Sequence, residues 1–398
     1  MTIEVKNESE FPKSTALPAH LTGQLSGANN YRILPTPGEL VELLSKQVIG
    51  QTQAKRTLAT AVYQHFMNCA NSDLYGGRTE TENHVMLVGP SGSGKSLLLR
   101  TLKDVLKVPM FYIPCTNITP DGYKGKNFSQ HIDTISDVLI ENTYTSPAIV
   151  VWDEVDKLSS NSLYSSVGQD TNDVAAGAGV YRRMTQTEFL TYLDGTKCGS
   201  NGDMDSSRIL NVAIGAFAGI DEIRDPTVKP TVGFHHPSLL NPKSGLEPVK
   251  PEHLIAYGLI PEFVGRFARI ASFDSLDHSS LRRILIEAEG NVLARRRDFF
   301  ALHGVHLQVT DEAIDELIAQ ALSQGTGARA LRQVVDQALR QVEHRLPDMA
   351  SSGVHTLVID RGAVTGRSSP IEHKGKQKNL STLLKLRHHA AYTRKEEA

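Results

Sequence analysis

Residues 84–96 read HVMLVGPSGSGKS, an apolar run that breaks into a glycine-rich turn and ends on Lys-Ser. From Gly89 to Ser96 the stretch fits G-x-x-x-x-G-K-[ST], and it follows a predicted strand and opens a predicted helix, the context this pattern requires. Each position has a physical reason. Gly92 and Gly94 let the backbone approach an anion closely, and successive N–H groups at a helix N-terminus form a cradle for phosphate. Lys95 stands where an ammonium neutralises β- and γ-phosphates, and Ser96 where a hydroxyl binds Mg²⁺.

Working outward, further short apolar runs alternate with helical segments: PMFYIP (109–114), AIVVWD (148–153) and RILNVAIGAF (208–217). Such runs predict a parallel sheet covered by helices on both faces. Upstream, residues 37–70 carry apolar positions at helical spacing on both sides of Val48-Ile49-Gly50-Gln51, which predicts a short helix, a glycine turn and a longer helix. After about residue 271 the strands fade. Residues 280–300, 311–324 and 328–346 read as amphipathic helices, followed by one strand, HTLVID (355–360). The expected organisation is a flexible extension over 1–37, a large α/β domain over 38–270, a smaller, mostly helical α+β domain over 271–366 and a basic tail over 367–398.

The run AIVVWD ends in two carboxylates, Asp153 and Glu154, at the strand edge where open α/β sheets bind ligands. Alone, such a pair commonly caps the next helix. Beside a phosphate cradle, Asp153 is placed to hold Mg²⁺ and Glu154 to polarise the attacking water, which hydrolysis needs and mere binding does not. Arg266 closes GLIPEFVGR, and Arg329 lies in TGARALR. Both read as surface ion pairs when taken alone. With an ATP site in the chain they supply charge to the γ-phosphate, a contribution of ~4–7 kcal/mol against ~1 for a solvated pair.

Composition narrows the class. The 398 residues suffice for roughly two domains, and 42 Lys plus Arg against 44 Asp plus Glu leave no global field toward nucleic acid or an anionic membrane. The three cysteines, Cys69, Cys115 and Cys198, lie far apart without Cys/His spacing, which predicts neither zinc nor a disulfide framework. No apolar run approaches the ~20 residues of a membrane span, and the polar start lacks a signal-peptide core, so a cytoplasmic protein is expected.

VIGQTQAKRTLATAVYQH, GPSGSGKS, GYKG, DEVDK, GAFAGID, GLIPEFVGR and TGARALR, in this order, resemble the ClpX family of AAA+ protein unfoldases over residues 38 to about 370. The resemblance implies a homo-hexameric ring that hydrolyses ATP with Mg²⁺ and threads protein substrates through its pore. Val48 and Ile49 line the adenine pocket in this reading. Gly89, Pro90, Ser91, Gly92, Ser93, Gly94, Lys95, Ser96 and Leu97 wrap the phosphates. Arg266 reaches the neighbour's nucleotide, and Arg329 senses nucleotide from the small domain. GYKG (Gly122, Tyr123, Lys124, Gly125) matches the pore loop whose aromatic residue grips polypeptide. Val232-Gly233-Phe234 matches, with Val in place of Ile, the loop that docks on a ClpP-type peptidase.

Departures from the family pattern also carry expectations. The cysteines of its N-terminal zinc domain are absent from this sequence. The pore-entrance segment DGTKCGSNGDMDSSR offers Lys197 and Arg208 but also Asp203 and Asp205, which weakens capture of a tag carboxylate. Asn172 stands where the family has Arg. Lys124 replaces Val in the gripping loop and favours acidic substrate segments. The tail carries eight Lys/Arg against three Glu, and reads as an interaction helix, a nucleic-acid contact or a solvated extension. Alternatives remain: a stand-alone remodeller without a peptidase, or a motor on nucleic acid.

Overall fold

The computed structural model describes residues 34–75, 83–119, 126–141, 147–160, 172–199, 202, 204–225 and 247–375. The chain enters through helix α1 (Pro37–Ser45), started by a capping box. The Thr36 hydroxyl accepts from the Glu39 N–H, and the Glu39 carboxylate accepts from the Thr36 N–H at 2.9 Å. Helix α2 (Thr52–Tyr75) follows, then strand β1 (Val85–Val88), helix α3 (Lys95–Leu106), β2 (Met110–Pro114), α4 (Phe128–Glu141), β3 (Ala148–Asp153), α5 (Asn172–Leu193) and β4 (Ile209–Gly215). Short helices α6 (Ile220–Arg224), α7 (Pro251–Tyr257) and α8 (Pro261–Gly265) lead to β5 (Arg269–Ser272).

These five strands form one parallel sheet in the order β2-β3-β4-β1-β5. Alternation along the strands explains its two cores. Met86, Val88, Val150 and Trp152 face a cluster rich in aromatic rings from α4, α5 and α8, among them Phe128, Phe189, Tyr192 and Phe263. Val85, Leu87, Ile149, Val151, Val212 and Ile214 face the other side, where α2 and α3 supply Leu58, Val62, Leu98 and Leu102. Both faces are covered, as the unbroken apolar strands predict.

Beyond β5 lies a third core. It is built by α9 (His278–Ile286), α10 (Val292–Leu302), β6 (His306–Val309), α11 (Asp311–Ser323), α12 (Ala328–Ser351), β7 (Val354–Ile359), α13 (Arg361–Val364) and β8 (Ile371–Lys374). β6 pairs parallel to β7 and β7 antiparallel to β8. The single amphipathic helix expected over 280–300 is two helices: the chain breaks at Glu287–Gly290, and Asn291 restarts it by accepting from the Ala294 N–H at 2.8 Å. Strand β5, which the apolar pattern did not announce, completes the sheet beside β1.

Candidate functional site

The glycine turn lies between the C-terminal end of β1 and the N-terminus of α3. Helix α3 starts without a side-chain cap: Gly94 adopts φ +106°, and the first turn carries no acidic residue. The orphan N–H groups of that turn are the donors an anion requires. Gly94 has open space around it, its nearest neighbour for a Cβ being Val48 Cγ1 at 3.9 Å. Val48 and Ile49 are buried beneath this turn, in the connection between α1 and α2. Lys55 anchors that connection by donating to Val48 O at 3.0 Å and to Ser45 Oγ at 2.7 Å. The Ser93 hydroxyl is buried and has no hydrogen-bond partner among the described residues, and Leu97 is exposed at the edge of the turn. An orphaned hydroxyl, uncapped N–H groups and a buried ammonium are a donor set that fits a polyphosphate.

Lys95 is that ammonium. Its Nζ folds back to donate to Pro90 O at 2.9 Å and to Gly89 O. Burial pushes its pKa down from 10.5 to about 8; the Asp156 and Asp153 carboxylates act in the opposite sense, and Arg329 adds to the depression. Asp153 ends β3, and its Oδ1 accepts from the Glu154 N–H at 2.8 Å. Glu154 is exposed and sits at φ +58°, a left-handed conformation uncommon for residues with a side chain. Ser96 is in the first turn of α3, half-buried. A hydroxyl and a carboxylate suit a hard cation such as Mg²⁺, and these two residues would hold it.

The small helical body closes over this end of the sheet. The turn before α12 abuts the P-loop: Ala328 N–H donates to Gly92 O at 3.2 Å, and a Cβ on Gly92 would collide with the Thr326 carbonyl oxygen. Pro90, Gly92, Ser93, Ser275, Leu322 and Gly327 line the cleft between the two bodies. Arg329, on the first turn of α12, is exposed. Gln51 (φ +52°) stitches the junction. Its Nε2 donates to Ser93 O at 3.3 Å and to Asp274 O at 2.9 Å, while its Oε1 accepts from the Asp274 N–H at 3.0 Å.

Arg266 is elsewhere. It follows α8, forks onto the Asp194 carboxylate, and lies at the N-terminal end of the sheet: Asp194 adjoins Leu193, whose carbonyl meets His84 Nε2 at 3.3 Å, just before β1 starts. The P-loop leaves the other end of β1, about 13 Å farther along at ~3.3 Å per residue. The structure thus groups Val48, Ile49, the P-loop, Asp153, Glu154 and Arg329, and separates Arg266 from them.

Three residues that the motif reading did not single out belong to this arrangement, two of them inside the quoted DEVDK and DGTKCGSNGDMDSSR. Asp156 is buried, accepts from the Ala216 N–H at 3.2 Å, and is the leading carboxylate acting on Lys95. Gln186, fully buried on α5, donates to Leu158 O and accepts from the Ile260 N–H, both at 2.7 Å, so it joins the exit of the Asp153–Glu154 strand to the helix that leads to Arg266. Asp194 holds Arg266 itself. No pattern in the sequence gave any of them a role. Asn211, the polar residue of β4, accepts from Trp152 Nε1 at 2.9 Å in the core, four residues before that strand ends. The pore-loop candidates Gly122, Tyr123, Lys124 and Gly125 and the docking candidates Val232, Gly233 and Phe234 lie outside the described residues. Among the described residues no cluster of His, Cys, Asp and Glu has the makings of a metal site, and no helix is long and apolar enough to cross a membrane.

Comparison with known proteins places the chain in a family. Residues 85–226 match the family model described as ATPase family associated with various cellular activities (AAA), and residues 276–355 match the C-terminal, D2-small domain of ClpB protein. The chain is 33% identical over 368 residues to the ATP-dependent Clp protease ATP-binding subunit ClpX of Azotobacter vinelandii, covering 89% of this chain and 81% of that protein. It is 32% identical to the ClpX subunit of Treponema denticola, covering 84% and 83%, and 31% identical to the ClpX 3 subunit of Methylococcus capsulatus, covering 84% and 81%.

Proposed function

We propose, because this chain belongs to the ClpX family of AAA ATPases, that its ATP turnover drives the unfolding of protein substrates and their threading through a homo-hexameric ring that delivers them to a ClpP-type peptidase. In this reading the ATPase body runs from residue 38 to the end of β5 at 272 and the small domain from there to the end of β8 at 374, so the expected bounds at 270 and 366 both shift outward. One observation carries the ring: Arg266 is held at the end of the sheet opposite its own P-loop. An arginine there serves no nucleotide in its own chain, and serves one in the next copy around a closed ring.

ATP supplies the phosphoanhydride bond, and Mg²⁺ spreads the charge that develops as it breaks. The chain's own groups do the rest. Lys95 exchanges the carbonyls of Gly89 and Pro90 for phosphate oxygens. Ser96 and Asp153 hold the cation, and Glu154 takes the proton of the attacking water. Val48 and Ile49 cover the base, Arg329 on the small domain answers to the γ-phosphate, and Arg266 of one copy stabilises charge in its neighbour. Tyr123 grips the polypeptide, Lys124 biases the grip toward acidic segments, and Val232-Gly233-Phe234 docks the peptidase.

The test is ATP-dependent loss of a stably folded, acidic-tailed fluorescent protein, with and without a ClpP-type peptidase, using the unaltered chain and Tyr123→Ala. Unfolding by the unaltered chain alone, degradation with the peptidase, and neither with Tyr123→Ala are expected. Unfolding without degradation would leave a stand-alone remodeller. ATP hydrolysis without either would overturn the reading.

A further inference from the structure

We propose that Asp194 is a positioning residue for Arg266, holding the guanidinium by its side edge so that its far edge faces the neighbouring copy's nucleotide; this rests on the trans reading of Arg266 given above. Arg266 engages Asp194 as a fork: Nε donates to Oδ1, and Nη2 donates to Oδ2 at 2.9 Å. A guanidinium has five N–H donors in one plane, and this fork uses the two along the Nε–Nη2 edge. The end edge, Nη1 with the second N–H of Nη2, is not engaged by Asp194, and it has the same two-donor spacing for a pair of phosphate oxygens. A free arginine side chain samples many rotamers; one carboxylate on its side edge selects those that point the end edge outward.

Both ends of the pair are fixed. Asp194 directly follows α5, its N–H donating to Leu190 O at 3.0 Å, and the preceding carbonyl, Leu193 O, meets His84 Nε2. The Arg266 N–H donates to Phe263 O at 3.2 Å. Phe263 is buried edge-to-face against Phe189 of α5, with ring centroids 5.5 Å apart, and Gln186 of α5 accepts from the Ile260 N–H at the start of α8. Helix α5 therefore carries the carboxylate and also seats the short helix that carries the arginine. The pair itself is too exposed to matter for folding, its side chains being 37% and 46% accessible. A carboxylate beside a catalytic cation also weakens its field. What the pair supplies is direction.

The experiment uses the full chain and steady-state ATP turnover at saturating Mg-ATP, with the thermal midpoint and the nucleotide KM measured beside it. Arg266→Ala should lower kcat ~10³-fold or more. Asp194→Ala should lower kcat ~10- to 100-fold through misorientation, with KM and thermal midpoint unchanged. Asp194→Glu should recover part of the rate, and the double variant should be no slower than Arg266→Ala. Wild-type kcat in Asp194→Ala beside a slow Arg266→Ala overturns the proposal, as does a double variant slower by the product of the two effects. Wild-type kcat in Arg266→Ala overturns the trans reading instead.

Discussion

The Gly92 carbonyl accepts a hydrogen bond from the Ala328 N–H at 3.2 Å, so the crest of the P-loop and the first residue of the small-domain helix are joined backbone to backbone. The contact is close because both sides are glycine. Gly92 adopts φ +77° and faces Gly327, which adopts φ +57° with ψ −137°. Side chains rarely adopt either conformation.

Gly327→Ala tests that contact. Its Cβ would come within 2.9 Å of Gly92 O on a backbone that disfavours L-residues. The expected cost is about 1–3 kcal/mol, seen as a lower urea midpoint, with a raised KM for ATP as the P-loop is displaced. An unchanged midpoint and KM would show that the turn shifts freely.

Lys95 gives ATP binding a pH dependence. Burial lowers this ammonium to about pH 8, while phosphate oxygens favour its charged form. Binding therefore takes up a proton above pH 8, and affinity should fall by up to about tenfold per pH unit there. Calorimetry at pH 8.5 in two buffers of different ionisation enthalpy reads the uptake directly. Lys95→Arg, which keeps its charge, should show none.

His65 and His84 make the large domain acid-sensitive. Burial depresses them from 6.5 to about 4 and about 3, and His84 Nδ1 accepts from the Asn211 N–H at 3.3 Å, so its neutral form is built in. Between these values and 6.5 the unfolded chain binds more protons than the folded one. Their stabilising contribution is complete above pH 6.5 and shrinks as pH falls, by about 2 kcal/mol each at pH 5. Urea midpoints at pH 7 and pH 5 measure the loss, and His84→Gln should reduce it.

Gln186→Leu removes both hydrogen bonds of a fully buried amide and strands Leu158 O and the Ile260 N–H. Two orphaned groups cost about 2–6 kcal/mol together. A denaturant titration that finds less than 1 kcal/mol would mean that the two segments relax apart.

The sequence showed the sheet through its unbroken apolar strands, and the P-loop and Asp153–Glu154 through fixed spacing beside those strands. What stayed hidden has physical causes. Strand β5, Arg-Ile-Ala-Ser, is a short edge strand whose two polar residues are half-buried and hydrogen-bonded, Ser272 Oγ accepting from the Val249 N–H and Arg269 donating to Gln64, and β6 and β8 are equally short and half-exposed, so no apolar run marks them. The break in residues 280–300 was encoded by Gly290-Asn291, a turn and an N-cap, but continuous helical periodicity on both sides masked it. Gln186 works through partners 28 and 74 residues away and Asp194 through one 72 residues away, distances across which no local pattern speaks.

Gln51 has a mechanical consequence. The Phe273 N–H is bonded to Val88 O, and Asp277 caps α9, which leaves Asp274, Ser275 and Leu276 as the link between sheet and small body. The first of these is gripped at both its N–H and its carbonyl by one side-chain amide that also touches Ser93. One side-chain amide thus ties the first residue of the link to the Ser93 carbonyl in the phosphate cradle, so the small body cannot leave its seat without breaking hydrogen bonds at that cradle.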